Sequence, residues 1–238
     1  MGLFMKKVLH KAIERGVALH GWLHSRFSFS FAEWYEPSRM GFGVLRVIND
    51  DIIDPHSGFD KHPHRDMEII TIVTEGAVTH GDSTGGNFRV PAGDVQVMSA
   101  GTGVVHSEHN RDDSTLKLFQ IWITPRQKGL APRYDQRSFG VGRKNEAELI
   151  VSGNASDDAL YINQDAYVSR LTLDEGNAVE YVLKNPDNGT YIFMVNGLAK
   201  IAGESLGERD ALGIVDAINI SIAATKSAEL LIFEVPMV

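Results

Sequence analysis

Short apolar runs separated by turn residues follow one another along the whole chain. Six of them are rich in β-branched or aromatic residues and have the length of a strand: 44–48, 68–74, 95–99, 118–123, 191–195 and 230–235. Turn sequences such as P-A-G-D and N-P-D-N-G stand between them. Short strands at this spacing are typical of antiparallel sandwiches and barrels. Helical periodicity is weak, and it predicts no more than a turn or two at 6–15 and at 145–150.

A faint internal repeat divides these strands into two sets. The sequence E-I-I-T-I-V-T-E-G-A-V at 68–78 resembles T-Y-I-F-M-V-N-G-L-A-K at 190–200. In each copy a turn that contains Asp follows, then another strand, and then a strand that bears aromatic residues. Unrelated strand–turn–strand sequences also share such features, so the alternative that there is no true repeat stays open. The repeat predicts two similar β-barrel domains, which we place at 1–130 and 131–238.

Composition limits the kinds of partner that the protein can have. The 238 residues carry a net charge of -8, which disfavours direct binding of nucleic acid through its phosphates. The chain has no cysteine, so a metal ion would have to be held by nitrogen and oxygen. The amino terminus has no apolar stretch of signal-peptide length, and no run approaches the roughly 18–20 apolar residues that span a bilayer. We therefore expect a soluble, cytoplasmic protein that does not bind membranes.

Histidine is confined to one part of the chain. All nine histidines lie between residues 10 and 109. Imidazole chemistry therefore belongs to the predicted first domain. The predicted second domain could offer a transition metal only carboxylates, so we expect no metal site there.

Two short motifs in the first domain have the spacing of metal ligands on strands. The stretch K-H-P-H-R-D-M-E-I places His62 and His64 two residues apart, and V-V-H-S-E-H-N does the same for His106 and Glu108. Residues at i and i+2 point to the same face of an extended backbone. If the two strands pair, three imidazoles and one carboxylate can surround one ion, which suits Fe(II), Mn, Co, Ni, Cu or Zn. For a single H-x-H, buried histidines with satisfied hydrogen bonds are the commoner alternative.

Three stretches of the chain resemble the pirin family of the cupin superfamily, and most closely the bacterial pirin-like proteins with quercetinase activity. They are H-G-W-L-H-S-R-F-S-F-S-F-A-E-W-Y-E-P at 20–37, D-K-H-P-H-R-D-M-E-I at 60–69 and V-P-A-G-D-V-Q-V-M-S-A-G-T-G-V-V-H-S-E at 90–108. The resemblance implies an all-β bicupin, with two antiparallel jelly-roll barrels. It also implies one metal ion in the first barrel, with iron preferred, held by His62, His64, His106 and Glu108.

The fourth ligand has a competitor. Glu68 stands where ordinary cupins have a ligand glutamate, and it shares the strand parity of His62 and His64. Those cupins also have a ligand histidine just after the P-x-G turn, where this chain has Val95 and Gln96. The pirin pattern therefore fits better, and we favour Glu108 over Glu68.

The other histidines are weaker candidates for metal ligands. His56 and His80 could orient a ligand, but structural or solvated roles are favoured for both. His109 has the opposite strand parity to His106 and is expected to face away. The aromatic residues of the 20–37 stretch are expected to form core and pocket wall.

The resemblance implies a metal-dependent dioxygenase that cleaves the heterocycle of quercetin-like flavonols with O2 and releases CO. A small planar chelating substrate would bind the ion, Glu108 would accept its hydroxyl proton, and residues near the mouth such as Phe59 would cover it. The alternative is a non-enzymatic, redox-sensing regulator that binds a transcription factor or a metabolic enzyme. The acidic charge permits such a partner, but no linear run of apolar or like-charged residues marks a surface for it. A third alternative is an inert β protein that the metal stabilises.

Overall fold

The computed structural model describes residues 5–237, which form strands for most of their length. The strands of the first part are β1 Lys6–His10, β2 Gly16–Leu19, β3 Leu23–Phe27, β4 Leu45–Ile53, β5 Gly58–His64, β6 Glu68–Glu75, β7 Ala77–Asp82, β8 Asn87–Pro91, β9 Asp94–Ser99, β10 Val104–His109, β11 Leu116–Ile123 and β12 Arg133–Ser138. Those of the second part are β13 Glu148–Ser152, β14 Leu160–Tyr161, β15 Tyr167–Leu173, β16 Ala178–Val182, β17 Asn188–Ile201, β18 Glu204–Gly207, β19 Ala211–Val215 and β20 Asn219–Pro236. All six strands predicted from the apolar runs are present.

Helix was predicted in two places, and it is nearly absent from both. Within 6–15 the chain forms strand β1 and then a single turn of 3₁₀ helix at Ala12–Glu14. At 145–150 the helical prediction is wrong. Asn145 has a φ of 60°, and its side-chain oxygen accepts a hydrogen bond from the backbone N–H of Asp174. The chain then enters β13, so side-chain bonding and strand pairing replace the helical turn.

The first unit is a barrel made of two antiparallel sheets. One has seven strands in the order β12-β9-β6-β11-β4-β3-β2, and the other has four in the order β5-β10-β7-β8. In the larger sheet the residues of β6 and β11 are mostly buried, whereas the residues of β5 are partly exposed. The four-stranded sheet therefore forms the more open wall of the barrel.

The second unit repeats the central pairings of the first. Its nine-stranded sheet has the order β1-β19-β17-β20-β15-β13-β14, with β16 added to β20 and β18 added to β17. In the first unit β6 pairs with β9 and β11, and in the second unit β17 pairs with β19 and β20. These are the strands that the sequence repeat aligned. The predicted all-β architecture with two similar antiparallel units is confirmed.

The two units share strands and core. Strand β1 pairs with β19 of the second unit, and β12 pairs with β9 of the first. Large buried side chains from both parts of the chain form one apolar cluster, which includes Phe29, Phe119, Tyr191, Phe193 and Phe233. The sheets thus exchange strands across the two ranges predicted as domains, 1–130 and 131–238, and that division stays a prediction. Within residues 5–237, no helix has the length and apolar character needed to cross a membrane.

Candidate metal centre

Three of the predicted ligands meet on neighbouring strands of the four-stranded sheet. Strand β5 runs antiparallel to β10 in a register that sets His62 directly opposite His106. The ring centroids of His62 and His106 are 4.4 Å apart, and His64 lies 4.9 Å from each of them. One nitrogen from each ring lies within 4.8 Å of the other two. The two motifs therefore converge, with three imidazoles close enough to hold one ion.

Glu108 lies in the same cavity but points toward the opposite sheet. The register of β10 against β5 shifts between His106 and Glu108, so that Glu108 pairs with Phe59. Its buried carboxylate accepts hydrogen bonds from the side-chain amides of Gln96, at 2.8 Å, and of Gln120. The hydroxyl of Thr71 also donates to it, at 3.3 Å. These donors lie on the seven-stranded sheet, so the carboxylate bridges the interior of the barrel.

A fourth histidine joins the cluster. His80 on β7 pairs with Glu108 across the strands, and its side chain is fully buried. Atoms of His80, His106 and Glu108 lie within 4.8 Å of one another, and they form a second set that could hold an ion. Nε2 of His80 is 2.9 Å from a carboxylate oxygen of Asp82, while its Nδ1 has no partner. Histidines that bind a metal through one ring nitrogen usually donate a hydrogen bond to a carboxylate from the other, and His80 has this arrangement.

The donor set fits a divalent transition metal. His106 is 1% exposed, yet neither of its ring nitrogens has a hydrogen-bond partner. Leaving a buried polar atom unpaired costs about 1–3 kcal/mol, so native proteins rarely do it without a reason. Nδ1 of His62 is 2.7 Å from the backbone oxygen of Asp60, which makes this nitrogen the donor and leaves Nε2 free. Through one nitrogen of each ring, a bound ion would satisfy polar atoms that the protein leaves unpaired.

Burial and neighbouring imidazoles keep two rings of the cluster, those of His64 and His106, neutral. Burial, together with the smaller effect of the neighbouring imidazoles, lowers the pKa of His106 to about 3 and that of His64 to about 4. A neutral imidazole is the form that binds a metal. The cluster can therefore bind a divalent ion at neutral pH without first releasing protons from these two rings.

The remaining candidates lie outside the cluster. Glu68 is buried, and its carboxylate accepts hydrogen bonds from Ser99 and Asn163. It belongs to neither group of possible ligands among the described residues. His109 pairs with Asp60 near the surface, and the exposed His56 lies 2.8 Å from a carboxylate oxygen of Asp113. The assignment of His62, His64, His106 and Glu108 as the ligand set itself stays a prediction.

A cavity of about 240 Å³ opens above the histidines. Its apolar wall is formed by Phe31, Phe59, Ile69 and Trp122, and its polar wall includes Asn49, Asp51 and Gln120. Phe59 thus lies where it was expected. Burial is the main cause that raises the pKa of Asp51 to about 7, and the negative charges of Asp50 and Glu108 add to it. Ser25 donates a hydrogen bond to this carboxyl group.

The polar lining of the cavity was missed by the sequence analysis, although it leaves a trace in the sequence. Each central strand of the larger sheet carries one or more polar side chains inside an apolar run: Asn49 and Asp51, on either side of Asp50, in V-I-N-D-D-I-I, Thr71 in I-I-T-I-V, Gln96 in V-Q-V-M and Gln120 in L-F-Q-I-W. A buried polar residue needs a partner inside the protein. Isolated polar residues on strands as apolar as these therefore indicate a polar interior.

Comparison with known proteins finds relatives that match nearly the whole chain. Residues 8–123 match the Pirin family, and residues 149–235 match the family described as the quercetinase C-terminal cupin domain. A quercetin 2,3-dioxygenase from Escherichia coli is 45% identical over 97% of this chain and 99% of its own. A pirin-like protein from Caulobacter vibrioides is 45% identical over 92% of this chain and 95% of its own.

A solved structure shows the same fold. It is a bacterial pirin from Escherichia coli in complex with nickel(II), which is 44% identical and superposes with a TM-score of 0.92 over 98% of this chain and 100% of its own. The likeness thus extends over both units and includes a relative crystallised with a divalent metal. The chain belongs to the pirin family, and its fold is that of a bicupin.

Proposed function

We propose that the protein is a metal-dependent dioxygenase that cleaves the heterocycle of quercetin-like flavonols with O2 and releases CO. One observation carries the proposal: a buried histidine whose ring nitrogens have no hydrogen-bond partner lies close to two further imidazoles, in the lining of a cavity with aromatic walls. The quercetin dioxygenase named among the relatives supports the substrate class.

In this proposal the protein supplies a nitrogen-rich site with an adjacent carboxylate. His62, His64 and His106 would hold the ion together with Glu108, and iron is our preferred metal. When bound, the ion would lower the pKa of a coordinated hydroxyl group and bring the substrate and O2 together. The pair His80–Asp82, next to His106, would hold the neighbouring ligands in orientation.

Glu108 is suited to accept the hydroxyl proton of the substrate. Its carboxylate lies in the lining of the cavity, beside the histidines. Hydrogen bonds from Gln96, Gln120 and Thr71 fix its orientation. A base must be held within hydrogen-bond reach of the proton that it removes, and this network would keep Glu108 in place. The proton would return to the product, which gains both oxygen atoms of O2 while one ring carbon leaves as CO.

The walls of the cavity suit a flat aromatic molecule. The ring of Phe59 packs edge-on against Trp22, and its centroid lies 6.3 Å from that of His62. Trp122 is edge-on to His64 at 4.9 Å. Aromatic side chains of this kind would pack against the rings of a flavonol and exclude water from the reacting carbon atoms.

The test is turnover by purified protein loaded separately with Fe(II), Mn(II), Co(II) or Ni(II). We expect loss of flavonol absorbance and release of CO with at least one of these ions, only when O2 is present. The variant His62→Ala should lose the activity, whereas His56→Ala, which changes an exposed histidine outside the cavity, should keep it. If no ion supports turnover, the dioxygenase proposal is overturned and the metal-binding regulator becomes the better hypothesis.

A further inference from the structure

The cavity above the histidines is smaller than most sites that bury a whole drug-sized ligand. Its volume is about 240 Å³. Sites that bury most of a drug-sized ligand have roughly 300–1,000 Å³. A flavonol has a fused two-ring system and a pendant aryl ring, so a space beside this cavity would let the pendant ring lie outside it when the chelating oxygens reach the histidines.

A second depression begins at the wall of the cavity. We call it the outer groove; it has about 280 Å³, and its apolar lining includes Phe31, Trp34, Tyr35, Met40, Met67 and Trp122. It shares Phe31 and Trp122 with the cavity. These two rings stand edge to face, 5.3 Å apart, and form the boundary between the two spaces. The outer groove therefore lies directly beside the cavity, across these two rings.

The backbone holds the groove in shape. Phe31 and Trp34 exchange both backbone hydrogen bonds in a tight turn, with Ala32 at a φ of 49°. The indole of Trp34 lies against Gly16, where an added Cβ would come within 2.3 Å of Trp34 Cδ2. The ring of Phe31 also packs on Phe27 at 5.2 Å. The groove is therefore formed before any ligand binds.

The surface of the groove suits an aromatic ring. Tyr35 is 70% exposed and Met40 is 43% exposed, although both are large apolar side chains. Exposed apolar side chains grouped at the rim of a cavity are typical of ligand-binding grooves. Methionine adapts its shape and makes favourable contacts with aromatic rings. These two side chains can cover a flat ring at little cost in reorganisation.

We propose that the outer groove is an aryl subsite, which takes the pendant ring of a 2-aryl substrate whose chelating oxygens lie at the histidines. The proposal rests on the proposed function, since it places the same substrate. It makes Tyr35 and Met40 residues that determine specificity, and it predicts selection for the three-ring flavonol over its two-ring core.

The test compares 3-hydroxyflavone with 3-hydroxychromone, which lacks the pendant ring. Binding to metal-loaded protein is measured without O2 by quenching of tryptophan fluorescence, so the result does not depend on turnover. We expect tighter binding of 3-hydroxyflavone. The double variant Tyr35→Ala/Met40→Ala should weaken binding of 3-hydroxyflavone about threefold to tenfold and leave 3-hydroxychromone unchanged. Val182→Ala, at an apolar position on β16 whose exposure lies between those of Met40 and Tyr35, should change neither.

Equal effects of the double variant on both ligands, or no effect on either, would overturn the subsite. Thermal unfolding of the double variant checks that the fold is retained, as expected for exposed positions. Where turnover occurs, KM for 3-hydroxyflavone should rise while kcat stays the same. If the wild type binds both ligands with the expected difference but turns over neither, the subsite stands and the dioxygenase proposal fails.

Discussion

Replacing His106 by leucine should stabilise the metal-free protein and remove its response to metal. His106 is buried, and both of its ring nitrogens are unpaired. One unsatisfied buried group costs about 1–3 kcal/mol, and an apolar side chain of similar size removes that cost. We therefore expect the free energy of unfolding of the metal-free His106→Leu variant to exceed that of the wild type by about 1–3 kcal/mol.

The same variant should lose the stabilisation that a bound metal ion gives the wild type. An ion that binds only the folded state stabilises it by about 2.7 kcal/mol when its free concentration is 100 times Kd. His106 belongs to both groups of possible ligands, so its loss should reduce this increment to nearly zero. The wild type would then gain stability from the ion while the variant would not.

The assay is urea denaturation of chelator-treated protein, with and without Ni(II). The matched control is His109→Leu, three residues further along the same strand, where the side chain pairs near the surface with Asp60. It should change stability by about 0.5 kcal/mol or less and keep the response to metal. A metal-free His106→Leu protein less stable than the wild type, or one that keeps the full nickel increment, would refute the assignment of His106 as an unpaired ligand.

Two further substitutions test the lining of the cavity. His80→Ala should lower affinity for the ion about 10-fold to 100-fold in competition with a chelator, because the His80–Asp82 pair next to His106 is lost; unchanged affinity would contradict its role at the site. Asp51→Asn should stabilise the protein at pH 8, by as much as about 4 kcal/mol, and much less at pH 4. The raised pKa of Asp51, about 7, means that the folded state holds a proton that the unfolded state has lost, so stability falls as pH rises from about 4 to 7. Equal effects of Asp51→Asn at both pH values in urea denaturation would contradict this.

The strand pattern was readable in the sequence because each strand has its own local signal. Apolar runs bounded by Gly, Pro, Asn and Asp define the six predicted strands, and the repeat aligns strands with equivalent pairings. The helical prediction at 145–150 is wrong because the local signal is weak there and the side chain of Asn145 bonds to Asp174 instead. Within 6–15 only a single turn is helical, because Lys6–His10 pairs with β19, some 200 residues away.

The histidine cluster was predictable only in part. Spacing of i and i+2 places His62 with His64 on one face, and His106 with Glu108 on one face, but it does not fix how the two strands align. The register that brings His62 opposite His106, and the shift before Glu108, depend on pairing between distant segments. His80 joins the cluster because β7 pairs with β10 on its other side.

The sequence by itself determined that this protein is built from strands, that a metal would be held by nitrogen and oxygen, and that its imidazoles lie in the first half of the chain. Strand length, absence of cysteine and spacing of histidines are local properties, so no knowledge of the fold was needed. Only the tertiary structure decided that Gln96 and Gln120 orient Glu108, that burial shifts the pKa of Asp51, and that the aromatic turn at Phe31–Trp34 meets the cavity. Each of these depends on distances and burial between side chains far apart in the chain, which are set when the two sheets close on each other.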